Sequence, residues 1–211
     1  MFIEEAEWIA EAVGHLPLPA TVLDVGSSTS EFRERVQPHI QERVFRPLQQ
    51  RGCEIVHLDA KEGNGVDLTC DLTDPTLAAV AAVGRTFQLV LCCNLLEHVV
   101  DRPLVARNIT ALVADGGFLL VTVPQRYRYH EDPIDTMYRP QPAELAELFS
   151  KNGPLVVRTE ATVRIDRRQY YRPFPPAPLN LRLADAARWA LAPLRWRQSC
   201  LVLERLATCP G

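Results

Sequence analysis

The chain lacks any apolar run approaching the roughly 18 residues that a membrane-spanning helix needs. Its first residues, MFIEEAEWIAEAV, are acidic and helix-periodic, whereas a secretory signal places positive charge ahead of an apolar stretch. A cytoplasmic protein is the expectation. No C-x-x-C pair occurs among Cys53, Cys70, Cys92, Cys93, Cys200 and Cys209, so the cysteines offer no zinc set and no metal is expected. Cys92 and Cys93 lie in an apolar run, where a thiol behaves as a small hydrophobe. Lysine is nearly absent, with only Lys61 and Lys151, and the otherwise acidic balance argues against nucleic acid as a partner. Internal repeats and low-complexity linkers are also missing. The composition that remains, 47% apolar and 23% charged, suits one soluble domain with a real core, spanning residues 1–211.

The net charge of −3 conceals an asymmetry. Residues 161–200 hold eight arginines against Asp166 and Asp185, a local net of +6 that leaves −9 elsewhere. Within this region, residues 167–197 read as a basic insert between the last two strands. Its segment ADAARWALAPLRW has apolar positions at helical spacing beside Arg188, Arg195 and Arg197. Such a piece packs on its own domain as a lid, or makes peripheral contact with a membrane surface.

Along the chain, apolar strands alternate with helical patterns. Residues 3–13 form a helix with Ile3, Trp8, Ile9 and Val13 as its stripe. Strands are predicted at 21–25, 54–58, 66–70, 87–93 and 118–123, then at 155–163 and 199–206. Ser30 is expected to cap the helix through Phe32, Val36 and Ile40, which Pro38 disturbs. Further helices are expected at 77–83, at 102–113 behind Asp101, and at 142–149. The alternation predicts an α/β fold, a mostly parallel sheet with helices on both faces.

In such a sheet ligands bind outside the carboxyl ends of the strands. There the chain places Asp24 and Gly26, Asp59, Asp71, and Asn94 to His98. Each acid alone is as readily a helix cap or turn residue. Together they suggest a cleft in which Asp59 accepts hydrogen bonds from both ribose hydroxyls and Asp71 accepts from an adenine amine. The turn TVLDVGSSTSEF has one glycine, with Ser28 and Glu31 where G-x-G-x-x-G would need the second and third. Asp59 lies 33 residues past Gly26, against about 20 in the dinucleotide pattern. Glu31 would also repel a pyrophosphate from the helix start. A dinucleotide oxidoreductase is disfavoured, and a cationic cofactor without phosphates removes the objection.

The ordered segments VLDVGSS, HLDA, DLTCDLTD, FQLVLCCNLLEHV and LVADGGFLLVTVP resemble a class I S-adenosylmethionine-dependent methyltransferase of the type 11 kind, over Thr21 to Phe149. No one motif is specific; their order and spacing are. The resemblance implies a Rossmann-like seven-stranded sheet in the order 3-2-1-4-5-7-6 with the last strand antiparallel, and S-adenosyl-L-methionine as cofactor. It implies that Asp24, Gly26, Ser27 and Ser28 hold the methionine tail and ribose, and that Asp59 binds the ribose. Ala60 would pass the adenine, Asp71 and Leu72 would border it, and Asn94 and Leu95 would touch the cofactor. Glu97 and His98 complete the LEH signature. Ser28 and Ser30 depart from the usual G-x-G-x-G turn.

An in-line methyl transfer needs alignment of the nucleophile and, for an oxygen or nitrogen acceptor, a base. His98 and His130 are the candidates. His130 lies in QRYRYHEDPIDTMYRPQP, where Tyr129, His130, Asp135, Tyr138 and Arg139 are expected to wall the substrate. The bland alternative is a rigid loop in which Asp135 pairs with Arg139. A small-molecule methyl acceptor, such as a sugar or natural-product intermediate, is the expected partner. The alternative function is a non-catalytic relative that binds a partner on the same fold.

Overall fold

The computed structural model describes residues 1–17, 21–76, 81, 83–130, 134–166 and 196–207. Its strands are β1 (Thr21–Val25), β2 (Glu54–Asp59), β3 (Leu68–Thr69), β4 (Phe87–Cys93), β5 (Val113–Arg126), β6 (Leu155–Ile165) and β7 (Trp196–Arg205). They form one sheet in the order β3-β2-β1-β4-β5-β7-β6. The pairs among β1 to β5 are parallel, and β7 runs antiparallel to both β5 and β6. This is the arrangement that the resemblance implies.

The central strands are apolar throughout because both of their faces are covered. Leu89 and Leu91 of β4 face α1 (Ile3–Gly14) and a helical run that includes α2 (Pro38–Ile40) and α3 (Arg46–Gln50), against Ile9, Val13, Val44, Phe45 and Leu48. Val90 and Cys92 face the other way, toward α4 (Arg102–Leu112) and α5 (Pro142–Ser150), against Val105, Ile109, Leu145 and Phe149. The two-residue period of a strand thus builds two cores from one continuous apolar run.

Several boundaries differ from expectation for local reasons. Thr29 rather than Ser30 caps the helix after β1, its Oγ1 accepting from the Phe32 N–H (3.3 Å). Pro38 cannot donate to the preceding turn, so the chain breaks at Gln37 and makes wide π turns at Phe32–Val36 and Gln41–Phe45. Helix α4 is capped by Asp101 as expected and stops at Leu112, and β5 begins at Val113, five residues before the predicted start. Gly117 permits this irregular start, since a Cβ there would sit 2.8 Å from the Ala114 carbonyl oxygen. β3 is shorter than predicted, β6 runs on to Ile165, and β7 starts at Trp196. Most of the helix expected at 77–83 and residues 167–195 of the basic insert lie outside the described residues.

The first helix holds a surprise. Ile3 and Trp8 stay partly exposed, whereas Glu5 is fully buried against the sheet. Its carboxylate accepts from the Phe2 N–H (3.0 Å), Asn94 Nδ2 (2.7 Å) and Thr122 Oγ1 (2.5 Å). Asn94 Oδ1 in turn accepts from Gln198 Nε2. One acid therefore ties α1 to the carboxyl ends of β4 and β5 and, through Asn94, to the amino end of the antiparallel β7. Glu5→Ala should lower stability by about 3 kcal/mol, the cost of stranding buried donors, as read by urea denaturation.

Candidate active site at the carboxyl ends of the strands

The turn after β1 is built from inside. Gly26 has a φ of +73°, a conformation that costs an L side chain, and a Cβ there would approach Leu95 Cδ1 at 3.1 Å. Its N–H and that of Ser27 both donate to the Leu58 carbonyl (2.8 and 3.0 Å). Ser28 also takes a left-handed conformation, at a φ of +56°, and its N–H donates to Asp59 Oδ2 (2.8 Å). Asp24 is buried and sits 2.9 Å from His57 Nδ1.

The serines have a structural explanation in the loop after β2. Residues 61–65, KEGNG, fold onto the turn, and Asn64 accepts the Ser30 N–H (2.8 Å). A Cβ on Gly65 would lie 2.6 Å from Ser30 Cβ, and one on Gly63 would lie 2.9 Å from Thr29 Cγ2. Gly63 and Gly65 thus let the opposite loop pack directly on Thr29 and Ser30. Between the two loops lies Arg33, buried, donating to the carbonyls of Ser27 (3.0 Å), Ser28 (2.6 Å) and Gly65 (2.7 Å). Burial presses its pKa down, against the charges of Asp24 and Asp67. Sequence reading missed Arg33 because an arginine early in a helix has no signal of its own.

At the ends of β2 and β3, Asp59 is half-buried and Ala60 exposed. Asp59 Oδ1 accepts from the Lys61 N–H (3.0 Å), and each carboxylate oxygen keeps a second lone pair for a hydroxyl donor. Asp71 is exposed, and its Oδ1 closes a turn with the N–H and hydroxyl of Thr73 (2.8 and 2.7 Å). Leu72 is buried, and its carbonyl accepts from Asn108 Nδ2 (2.9 Å). The segment after β4 begins with Asn94 at a φ of +53° and Leu95 packed over Gly26. Asn94 spends its side chain on Glu5 and Gln198, so its part in the site is backbone and shape.

A short 3-10 turn, Leu96–His98, follows. Glu97 is fully buried with no hydrogen-bond partner for either carboxylate oxygen among the described residues, and burial pushes its pKa up to about 8. His98 Nδ1 meets the Ile134 carbonyl (2.5 Å). The loop after β5 is clamped to this turn: the Thr136 N–H and Oγ1 both donate to the Glu97 carbonyl (2.9 and 2.8 Å). His130 thereby stacks edge-on to His98 at 5.1 Å and to Tyr127 at 5.1 Å, and Tyr127 packs against Phe2 (5.3 Å) and Trp196 (4.7 Å).

The expected Asp135–Arg139 pair is present, at 2.6 Å. Asp135 also accepts the N–H groups of His130 (3.0 Å) and Met137 (2.8 Å). Burial pushes its carboxyl up, but these bonds and the Arg139 charge outweigh burial and hold it well below the usual carboxylate range. Tyr138 is half-buried under the Arg102 guanidinium (4.4 Å), and Tyr129 is exposed. Of the residues expected to meet a substrate, His130 stands in an aromatic wall, whereas Asp135, Tyr138 and Arg139 shape the loop. Glu131, Asp132 and Pro133 lie outside the described residues. The wall members Phe2, Tyr127 and Trp196 come from three distant stretches, which no spacing rule connects.

Two outcomes test this geometry. Gly63→Ala should destabilise the protein by about 1–2 kcal/mol through overpacking, and Thr29→Ser, which keeps the capping hydroxyl, should cancel that loss in a double-mutant cycle. Asp135→Asn should cost about 3 kcal/mol near neutral pH by leaving Arg139 unpaired. Because the folded Asp135 carboxyl is depressed, its contribution is full above the ordinary range near ~4 and is lost as pH falls. The gap in urea midpoint between wild type and Asp135→Asn should therefore shrink below about pH 4.

Comparison with known proteins bears on the family and the fold. A family profile described as a methyltransferase domain matches residues 3–159. A ubiquinone biosynthesis O-methyltransferase from Parvibaculum lavamentivorans is 26% identical over a region covering 39% of this chain and only 36% of that protein. Among solved structures, an S-adenosylmethionine-dependent methyltransferase from Archaeoglobus fulgidus superposes with a TM-score of 0.58 at 10% identity, covering 95% of this chain and 93% of that one. The Burkholderia thailandensis 1,6-didemethyltoxoflavin N1-methyltransferase, solved with its substrate and S-adenosylhomocysteine, superposes at 0.54 and 18% identity, covering 96% and 79%. With the strand order and a profile matching well over half its length, this chain belongs to the methyltransferase-domain family and has the fold of the class I S-adenosylmethionine-dependent methyltransferases.

Proposed function

We propose that the protein moves a methyl group from S-adenosylmethionine to an oxygen or nitrogen of a small molecule, with sugars and natural-product intermediates as the first classes to try. The observation that carries this reading is Asp59. Its half-buried carboxylate stands at the end of β2, anchored to the turn by the Ser28 N–H, with lone pairs left for two vicinal hydroxyls. Gly26, Ser27 and Leu95 form the wall beside it, and Ala60, Asp71 and Leu72 are the residues for the adenine. When bound, the cofactor supplies an electrophilic methyl group on a sulfonium sulfur.

The remaining tasks fall to the chain. Phe2, Tyr127 and Trp196 offer an apolar face that orients a flat or ring-shaped acceptor and excludes water. His130 is the better-supported proton acceptor: burial lowers its pKa more than Asp135 raises it, so the imidazole is neutral near pH 7. His98 is the second candidate, held by the Ile134 carbonyl.

A second reading, a non-catalytic binding protein on the same fold, draws on one observation: the N–H groups of Gly26, Ser27 and Ser28 are all bonded within the protein. Calorimetric titration with S-adenosylmethionine and S-adenosylhomocysteine separates the two. Micromolar binding supports the enzyme; absence of binding by folded protein sinks it. Asp59→Ala should weaken binding by about 2 kcal/mol, roughly 30-fold, and unchanged affinity would refute the ribose role.

A further inference from the structure

The chain carries a three-residue cluster that the cysteine spacing gave no reason to expect. Glu97, His98 and His130 bring one carboxylate and two imidazoles together, with potential ligand atoms all within 4.8 Å of one another. Glu97 is fully buried, and neither of its oxygens has a hydrogen-bond partner among the described residues. A buried acid is normally paired or hydrogen-bonded, so an unsatisfied one beside two imidazoles points to an absent cation.

We propose that Glu97, His98 and His130 form the site of one divalent transition-metal ion, of the zinc, manganese or iron(II) class. The donor set of two imidazoles and one carboxylate suits these ions, whereas magnesium and calcium prefer oxygen alone. His98 turns Nε2 toward Glu97 Oε1 (3.9 Å) while its Nδ1 meets the Ile134 carbonyl. His130 Nδ1 lies 3.1 Å from Asp135 Oδ2. A carbonyl behind the ring, as His98 has, orients metal-bound imidazoles elsewhere, and the Asp135 carboxylate stands close to the His130 ring without a hydrogen bond to it. A metal about 2.1 Å from each donor brings the donors to about 3 Å apart, so the side chains close in by roughly 1 Å on binding. The clamp of Thr136 onto the Glu97 carbonyl holds the backbones of both segments in place for that closure.

Three protein ligands would leave coordination positions open, and one of the three, His130, stacks on Tyr127 of the aromatic wall. An oxygen-bearing molecule would occupy the open positions. A hydroxyl bound to such an ion loses its proton to solvent more readily, so in the metal-loaded protein the ion takes over the task that His130 has as proton acceptor without it, and the methyl-transfer reading deepens to hydroxyl acceptors; that extension rests on the reading above, but the metal site does not.

The test is metal titration of chelator-treated full-length protein with Co2+ and Zn2+, followed by visible absorption and calorimetry, with Mg2+ as comparison. Expected are close to one equivalent of Co2+ displaced by Zn2+, a d–d spectrum of low coordination number, and much weaker Mg2+ binding. His130→Ala and Glu97→Gln should each weaken Zn2+ binding at least about tenfold, with His15→Ala, an exposed histidine, leaving it unchanged. Denaturation curves establish that each variant is folded; should Glu97→Gln fail to fold, His98→Ala takes its place. Absence of saturable Co2+ or Zn2+ binding to the wild type, or equal affinity in folded His130→Ala, overturns the site. Cofactor binding measured without metal is a separate readout, so failure of the metal site and failure of the methyl-transfer reading are distinguishable.

Discussion

Arg33 draws three backbone carbonyls, from Ser27, Ser28 and Gly65, onto one buried guanidinium. Arg33 reaches the turn with Nη1 and the opposite loop with Nη2, a span of the planar guanidinium that a lysine, with all its donors on one nitrogen, does not offer. Carbonyls drawn inward fix where the turn after β1 lies against the loop after β2. The Ser28 N–H is then aimed at Asp59. A turn with a single glycine keeps its shape because its strain is held by this bonding, and the small residues it needs are distributed across both loops.

The other half of the site depends on a comparable clamp. Segments after β4 and β5 are tied by Thr136 and by His98, so that residues more than thirty positions apart become neighbours. Glu5 performs the same service at the base, joining α1 to three strand ends. These bonds tie together the segments that carry the aromatic wall and the buried Glu97 carboxylate. In a family whose fold supports many acceptors, such local arrangements rather than the sheet decide the chemistry.

Much of the fold was legible beforehand because a parallel sheet leaves a strong trace: buried strands are continuous apolar runs, each ending in a turn. Thr21–Val25 and Phe87–Cys93 were readable to the residue. Edges were less so. β3 keeps only two residues of ladder, and β5 starts early through Gly116-Gly117, where the pattern suggests only a turn. For the candidate site, the placement of Asp59 and Gly26 at the ends of β2 and β1 was readable from the pattern of apolar runs. Arg33, Glu5 and the carboxylate of Glu97 were not, because burial of a charge is decided by partners far away in the chain.

The sequence by itself determined the order of the strands' chemistry: which residues close each strand, hence which acids and imidazoles reach one edge of the sheet. It also determined the family, through the spacing of its five segments. Only the tertiary structure decided which of those groups spend themselves on the protein and which face outward. Asp24 turns to His57, Asn94 to Glu5 and Gln198, and Asp135 to Arg139, while Glu97 is left beside His98 and His130. The physical reason is that a hydrogen bond is short and directional, so a partner's identity depends on positions in space that one-dimensional spacing does not encode.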